Sequence, residues 1–204
     1  MGAAAAVIAE DVQQEQCREK KPRDDGFFDQ RGLRRPASED LLEGVLRQAG
    51  ATYEEGKVPL LAHLYAGVAY SDISAPDAQY LLRLGDRLTY RQLVAVATLA
   101  DEENSHTLLQ AAAARDEGQT RPTPGVSLEL DDLADRGVIG VQVSGSDQIA
   151  RPNELYGSAG PASAHGFGAL RLTLVGRRLH DLMQLATIDR AEKDFWLSEL
   201  AAPR

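Results

Sequence analysis

The sequence predicts an α+β fold, mostly α, in which a helical bundle precedes a module that contains a two-stranded ribbon. Three observations indicate this class. Apolar residues recur at helical spacing through much of 38–116. Residues 138–143 (Val-Ile-Gly-Val-Gln-Val) are rich in β-branched side chains, and 170–172 (Leu-Arg-Leu) alternate, which is typical of strands. Gly, Ser, Pro and Ala dominate the loop at 144–168, across which the two strands are expected to pair antiparallel.

Composition limits the class of protein. The chain has 204 residues, of which 43% are hydrophobic and 26% charged, as expected for a globular protein of one domain or slightly more. Its formal net charge of −9 opposes non-specific attraction to nucleic acid or anionic membranes. The single cysteine, Cys17, cannot close an internal disulfide. Neither a secretory signal nor a membrane-length apolar run is evident, so we expect a cytoplasmic location.

The N-terminal half divides into an arm and a helical segment. Residues 1–37 are highly charged and poor in large apolar side chains, which predicts a flexible or loosely helical arm, with 3–19 as its helical part. Residues 38–88 are predicted to be helical, with Ser38 and Ser74 in positions that favour the start of a helix. Gly50, Gly56 and Pro59 interrupt this segment, so residues 38–70 form either one kinked helix or two.

The C-terminal half is predicted to mix helices with the two strands. Helices are expected at 89–102, 105–116 and 126–135, and Arg136-Gly137 should end the third. Thr173 is positioned to cap a helix that continues to about residue 183. A last helix is expected near 189–201. These boundaries define a module at 89–186 and a C-terminal helix within 187–204.

Two junctions in this module resemble those of a known fold. Residues 130–140 (LDDLADRGVIG) and 170–179 (LRLTLVGRRL) resemble the C-terminal half of winged-helix domains, in bacterial-type, repressor-like regulators. The resemblance covers roughly 89–186. It implies a recognition helix at 126–135, a wing at 144–168 and DNA binding through the major groove. Residues 57–70 (KVPLLAHLYAGVAY) are also faintly similar to helical proteins associated with bacterial abortive infection.

The residues of 126–135 favour a different use of that scaffold. If Val126, Leu130, Leu133 and Ala134 face the core, the exposed side carries three carboxylates, which repel phosphate. A non-catalytic protein-interaction or oligomerisation module is therefore the first hypothesis, with Ser127, Asp131, Asp132 and Asp135 as candidate partner-binding residues. A DNA-binding transcriptional regulator is the alternative, with phosphate contacts from Arg115, Arg121, Arg136, Arg151 and Arg171.

Catalytic and metal-binding signals are weak. No nucleophile elbow, phosphate-binding loop or dinucleotide fingerprint occurs, so we expect neither an enzyme nor a cofactor. Glu103-x-x-His106 is half of a di-iron signature without its second half, and no metal site is expected. His63 is interpreted as a structural histidine.

The last helix predicts self-association. Phe195, Trp196 and Leu200 concentrate aromatic and apolar surface near the C-terminus, where it either packs on the same chain or contacts a second one. We expect a homodimer that uses these residues.

Overall fold

The computed structural model of the chain describes residues 2–30, 34–101, 124–142, 149–150 and 170–200. Within these ranges the protein is mostly helical and contains a small antiparallel sheet. The predicted fold class is confirmed at this level. The chain forms two compact units: Met1–Tyr90 with Asp181–Leu185 (unit 1), and Arg91–His180 with Ala186–Arg204 (unit 2).

Unit 1 is a helical bundle around one apolar helix. The helices α1 (Gly2–Cys17), α2 (Ala37–Ala51) and α4 (Ala75–Arg87) pack against α3 (Lys57–Ala69). Leucine, valine and alanine follow one another with few interruptions in α3, and a helix that is apolar on most sides is stable only when its neighbours cover it. Residues 38–70 form two helices and not one kinked helix, because α2 ends at Ala51 and α3 begins at Lys57. Pro59 lies in the first turn of α3, where proline is tolerated.

Two start signals in unit 1 have different outcomes. Ser74 caps α4 as predicted, because its side chain accepts a hydrogen bond from the backbone amide of Asp77. The expected cap at Ser38 is wrong. The helix α2 begins one residue earlier, at Ala37, and Pro36 precedes it without a side-chain cap. Ser38 is buried, and its backbone amide donates to the carbonyl of Phe27 at 3.0 Å.

The sequence predicts a flexible or loosely helical arm with 3–19 as its helical part, and the structure shows that helix packed on the bundle. Residues 2–17 form α1, which packs on α3 and buries Ala4, Ile8 and Asp11. Downstream, Phe27 is only 4% exposed. The Arg23 guanidinium stacks over the Phe27 ring at 4.7 Å and donates to the carbonyl of Ile73 at 2.5 Å. Few large apolar residues occur here, but Ile8 and Phe27 are buried, so low average hydrophobicity did not prevent packing.

Unit 2 combines helices with a three-stranded sheet. It contains α5 (Tyr90–Ala100, from Arg91 onward), α6 (Pro124–Asp135) and α8 (Arg190–Leu200), and α7 (Leu174–Leu182) begins in it. A 3-10 turn (Leu185–Thr187) precedes α8. The predicted second helix, 105–116, lies outside the described residues.

The sheet has the order β2-β1-β3 and is antiparallel throughout. The strand β1 (Ile139–Gln142) pairs with β3 (Leu170–Leu172) in the register Ile139↔Leu172 and Val141↔Leu170, which confirms the predicted pairing of the two strands. A third strand, β2 (Ile149–Ala150), pairs with the other edge of β1. It lies within 144–168, where the sequence predicts only a loop. The rest of that segment lies outside the described residues.

Two junctions hold α6, β1 and α7 together. Gly137 has a positive φ of 70°, which glycine adopts without strain, and it ends α6 as predicted. The amides of Gly137 and Val138 donate to the carbonyls of Ala134 and Leu133, the usual pattern of a glycine C-terminus. At the start of α7, the Thr173 hydroxyl accepts from the Gly176 amide at 3.1 Å and donates to the Gly137 carbonyl at 2.6 Å. The predicted Thr173 cap is confirmed.

Candidate binding surface

The exposed side of α6 carries one apolar and two acidic residues. Leu128 is 69% exposed, and both Asp131 and Asp135 are exposed. Positions 128, 131 and 135 are three and seven residues apart, so they lie along one helix face, which we call the α6 face. Val126, Leu133 and Ala134 are buried on the opposite side, as predicted. The side chain of Ser127, also predicted here, lies outside the described part of the chain.

Asp132 lies beside this face, with its side chain 40% exposed and hydrogen-bonded to two other side chains of unit 2. Its Oδ2 accepts from Gln92 Nε2 of α5 at 2.7 Å and from Arg136 Nε at 2.7 Å. The hydrogen bond from Arg136 is the main reason that the pKa of Asp132 lies below its usual range. The sequence predicts Asp132 on the exposed side of the helix together with Asp131 and Asp135. Helical spacing does not reveal that Gln92, forty positions earlier, reaches across from the neighbouring helix.

A second polar cluster links α5, α6 and α8. Arg91 Nε donates to Glu129 Oε1 at 2.5 Å, and Arg91 Nη2 lies 2.5 Å from Glu199 Oε2. Glu129 also accepts from the indole Nε1 of Trp196 at 3.2 Å. One carboxylate on α6 thus binds side chains from two other helices. These bonds fix the orientation of α6, so the α6 face is presented on a supported element.

The residues expected to form a dimer interface separate into two groups. Trp196 is 1% exposed and Leu200 is 7% exposed, so both belong to the core of unit 2. Their assignment to an accessible dimer surface is corrected, because the indole is buried and hydrogen-bonded within the same chain. Phe195 is 61% exposed and remains available.

The candidate DNA-binding arginines do not form a described cluster. Arg136 is hydrogen-bonded to Asp132, and Arg171 is half-buried on β3 with an interaction partner within the chain. Arg115, Arg121 and Arg151 lie outside the described residues. Among the residues that the structure describes, the α6 face itself is acidic and apolar, not basic.

Leu128 is the surface residue that the sequence analysis missed. Successive helical residues are rotated by about 100°, so position 128 lies about 200° from Val126 and cannot face the same core. This angular position can be calculated from the sequence alone. The pattern Val126, Leu130, Leu133 already accounted for a buried side, and Leu128 was left unassigned.

His63 is a structural residue in the described chain. Its Nδ1 lies 2.5 Å from Asp11 Oδ2, and both side chains are largely buried between α1 and α3. In the same bundle, Lys57 donates to the carbonyl of Asp86 near the end of α4, and burial lowers the pKa of Lys57. Both groups connect helices of unit 1.

Within the described ranges no three His, Cys, Asp or Glu side chains are grouped so that they could hold a metal ion. Glu103 and His106 fall outside those ranges. No helix in the described part of the chain has both the length and the apolar character needed to cross a membrane. Comparison of the chain with models of protein families, with curated proteins and with solved structures finds no match.

Proposed function

We propose that the chain is a non-catalytic binding protein and that the α6 face contacts a protein partner with basic and apolar groups. The observation that carries this proposal is the exposure of Leu128 in line with Asp131 and Asp135. A leucine that is 69% exposed on a helix with a well-buried opposite side is available to a partner. The neighbouring carboxylates favour lysine or arginine on that partner.

The expected contributions are modest individually. Covering Leu128 contributes on the order of 1–2 kcal/mol, and a surface ion pair to Asp131 adds about 0–1 kcal/mol. A typical interface buries about 800 Å² on each side, which exceeds what one short helix offers. The α6 face would therefore be the centre of a larger contact area and would determine which partners fit.

A DNA-binding regulator of winged-helix type is the second candidate. The order α5, α6, β1, β3 and the Thr173 junction favour it, because they resemble the recognition-helix half of that fold. In that geometry Asp131 and Asp135 would enter the major groove. Each carboxylate at about 7 Å from a phosphate costs about 0.6 kcal/mol in water. For this reason the protein partner is preferred.

The experiment compares co-purification by the tagged full-length chain and three variants. Leu128→Asp and Asp131→Lys alter the α6 face, whereas Asp194→Lys is a matched control on α8, where Asp194 is exposed. Asp132 is left unchanged because its reversal would break the bonds to Gln92 and Arg136. We expect a protein retained by wild type and Asp194→Lys to be lost from the other two, with unchanged circular dichroism.

Two results would contradict this proposal. Retention of the same partner by Leu128→Asp and Asp131→Lys would exclude the α6 face as the contact. Salt-sensitive binding of the purified protein to random-sequence duplex DNA, measured by fluorescence anisotropy from about 50 mM salt upward, would favour the regulator instead.

A further inference from the structure

The outer side of α2 presents a second surface, in unit 1. Helix α2 buries Leu41, Val45 and Ala49 on its inner side. Leu42 and Leu46 lie one turn apart at the edge of this buried stripe, next to the charged outer side, and both are part-buried. Together with four charged side chains they line an open depression of about 510 Å³; we call this set the outer α2 face: Arg35, Glu39, Leu42, Glu43, Leu46 and Arg47.

The positive and negative charges of the outer α2 face are equal in number and are paired with each other. Arg35 pairs with Glu43 at 2.6 Å and with Glu39 at 3.3 Å, and Arg47 also pairs with Glu43. Two arginines and two glutamates give no net charge, whereas the whole chain carries −9. Two copies of the chain therefore repel each other in general, but this surface does not contribute to that repulsion.

We propose that the outer α2 face joins two copies of the chain in antiparallel orientation, with Leu42 of each copy against Leu46 of the other. Such a two-fold interface uses the same patch on both copies. The rise of about 1.5 Å per residue then places Arg47 of one copy at the level of residue 41 of the other. That level is about 3 Å along the axis from both Glu39 and Glu43.

This register makes the patch complementary to itself. Glu39, Glu43 and Arg47 follow one another at four-residue intervals, so they lie on the same flank of the leucines. A two-fold axis perpendicular to the helices brings equal flanks together. Each Arg47 thus reaches two carboxylates of the other copy, in addition to its own pair with Glu43. A basic or an acidic partner would match only half of these charges, which favours a second copy.

The association is expected to be weak. A helix of 15 residues is about 22 Å long, so one helix pair buries less than the roughly 1,600 Å² of a standard stable interface. A dimer should therefore form only at tens to hundreds of micromolar protein.

Sedimentation velocity of the full-length chain, from about 5 to 500 µM, tests the proposal. The weight-average mass of wild type should rise from 22.1 kDa towards twice that value. Leu46→Glu should remain monomeric throughout, and its circular dichroism should match that of wild type, which shows that the variant is folded. Phe195→Glu, which alters the exposed aromatic of α8, should associate like wild type. A monomeric wild type, or an associating Leu46→Glu, overturns the proposal.

Cross-linking tests the register. In a Cys17→Ser background, Leu42→Cys and Leu46→Cys chains are oxidised with diamide, separately and mixed. The antiparallel pair predicts that the mixture forms a disulfide-linked dimer several-fold faster than either variant alone, because only positions 42 and 46 are level with each other. Faster linkage in the separate samples would indicate parallel helices and overturn the proposed arrangement.

Discussion

Replacement of Gly176 by alanine should destabilise unit 2, although alanine is the better helix former. Gly176 lies in the first turn of α7. An added Cβ would lie well inside van der Waals contact with the Val138 carbonyl oxygen, 3.2 Å from the carbonyl carbon and 3.4 Å from Leu172 Cβ. The closest atom belongs to the backbone immediately before β1, so it cannot turn away as a flexible side chain would.

The two effects have opposite signs and can be compared. Glycine to alanine within a helix gains up to about 1 kcal/mol from propensity. Overpacking a tight contact costs about 1–3 kcal/mol and sometimes more, and a clash with backbone belongs at the upper end of this range. We therefore expect a net loss of about 2 kcal/mol. For a chain of this size, that corresponds to a decrease in melting temperature of about 4–8 °C.

Urea unfolding followed by tryptophan fluorescence measures this loss. Trp196 is the single tryptophan and is buried in unit 2, so it reports the unit that contains Gly176. Gly125→Ala is the matched control, because Gly125 is also in the first turn of a helix in unit 2 and a Cβ there meets no atom within 4 Å. We expect Gly125→Ala to stay within about 1 kcal/mol of wild type. A Gly176→Ala protein as stable as wild type would refute the close approach of α7 to β1.

Two further predictions concern the polar contacts. The pKa of Asp132 is held below its usual range, chiefly by Arg136, so this carboxylate adds stability above its unfolded pKa near 3.8 and loses it as pH falls through the folded value. Asp132→Asn should therefore lower the urea midpoint at pH 7 and differ less from wild type at pH 3. Asp194→Asn is the exposed control, and an equal difference at both pH values would contradict the mechanism. Asp11→Ala should leave His63 without its carboxylate and loosen α1. Trypsin should then cut after Arg18 and Lys20 about five-fold faster or more, given a cost of at least about 1 kcal/mol. The control variant Glu10→Ala, which changes an exposed residue next to Asp11, should be cut at the wild-type rate. If Asp11→Ala is also cut at the wild-type rate, the Asp11–His63 pair does not hold α1 in place.

The junctions of unit 2 could be predicted from sequence because their signals are local. A glycine after 126–135 ends that helix, β-branched residues form β1, and a threonine starts α7. Each of these three features is determined by residues within a few positions of it in the sequence. The glycine at position 176, noted only as part of a resemblance, has a physical reason in the structure, because it allows α7 to approach the Val138 carbonyl.

The contacts that sequence could not predict join residues far apart in the chain. Asp11 meets His63, and Gln92 meets Asp132, through packing between helices that no local pattern specifies. The same limit applied to Trp196. Its aromatic area required a buried or an intermolecular position, and only the fold shows that Glu129 accepts its indole hydrogen.

The return of the chain to unit 1 at Asp181–Leu185 has a consequence for synthesis and for gene rearrangement. Within that unit, Gly67 of α3 approaches Leu182 so closely that an added Cβ would lie 2.9 Å from the Leu182 carbonyl oxygen. The two sides of this contact are translated far apart in time, since unit 2 supplies most of the residues between them. A nascent chain that ends at Tyr90 therefore carries its four helices without the segment that completes their core. Any recombination that separates residues 1–90 from 181–185 would divide that core between two products.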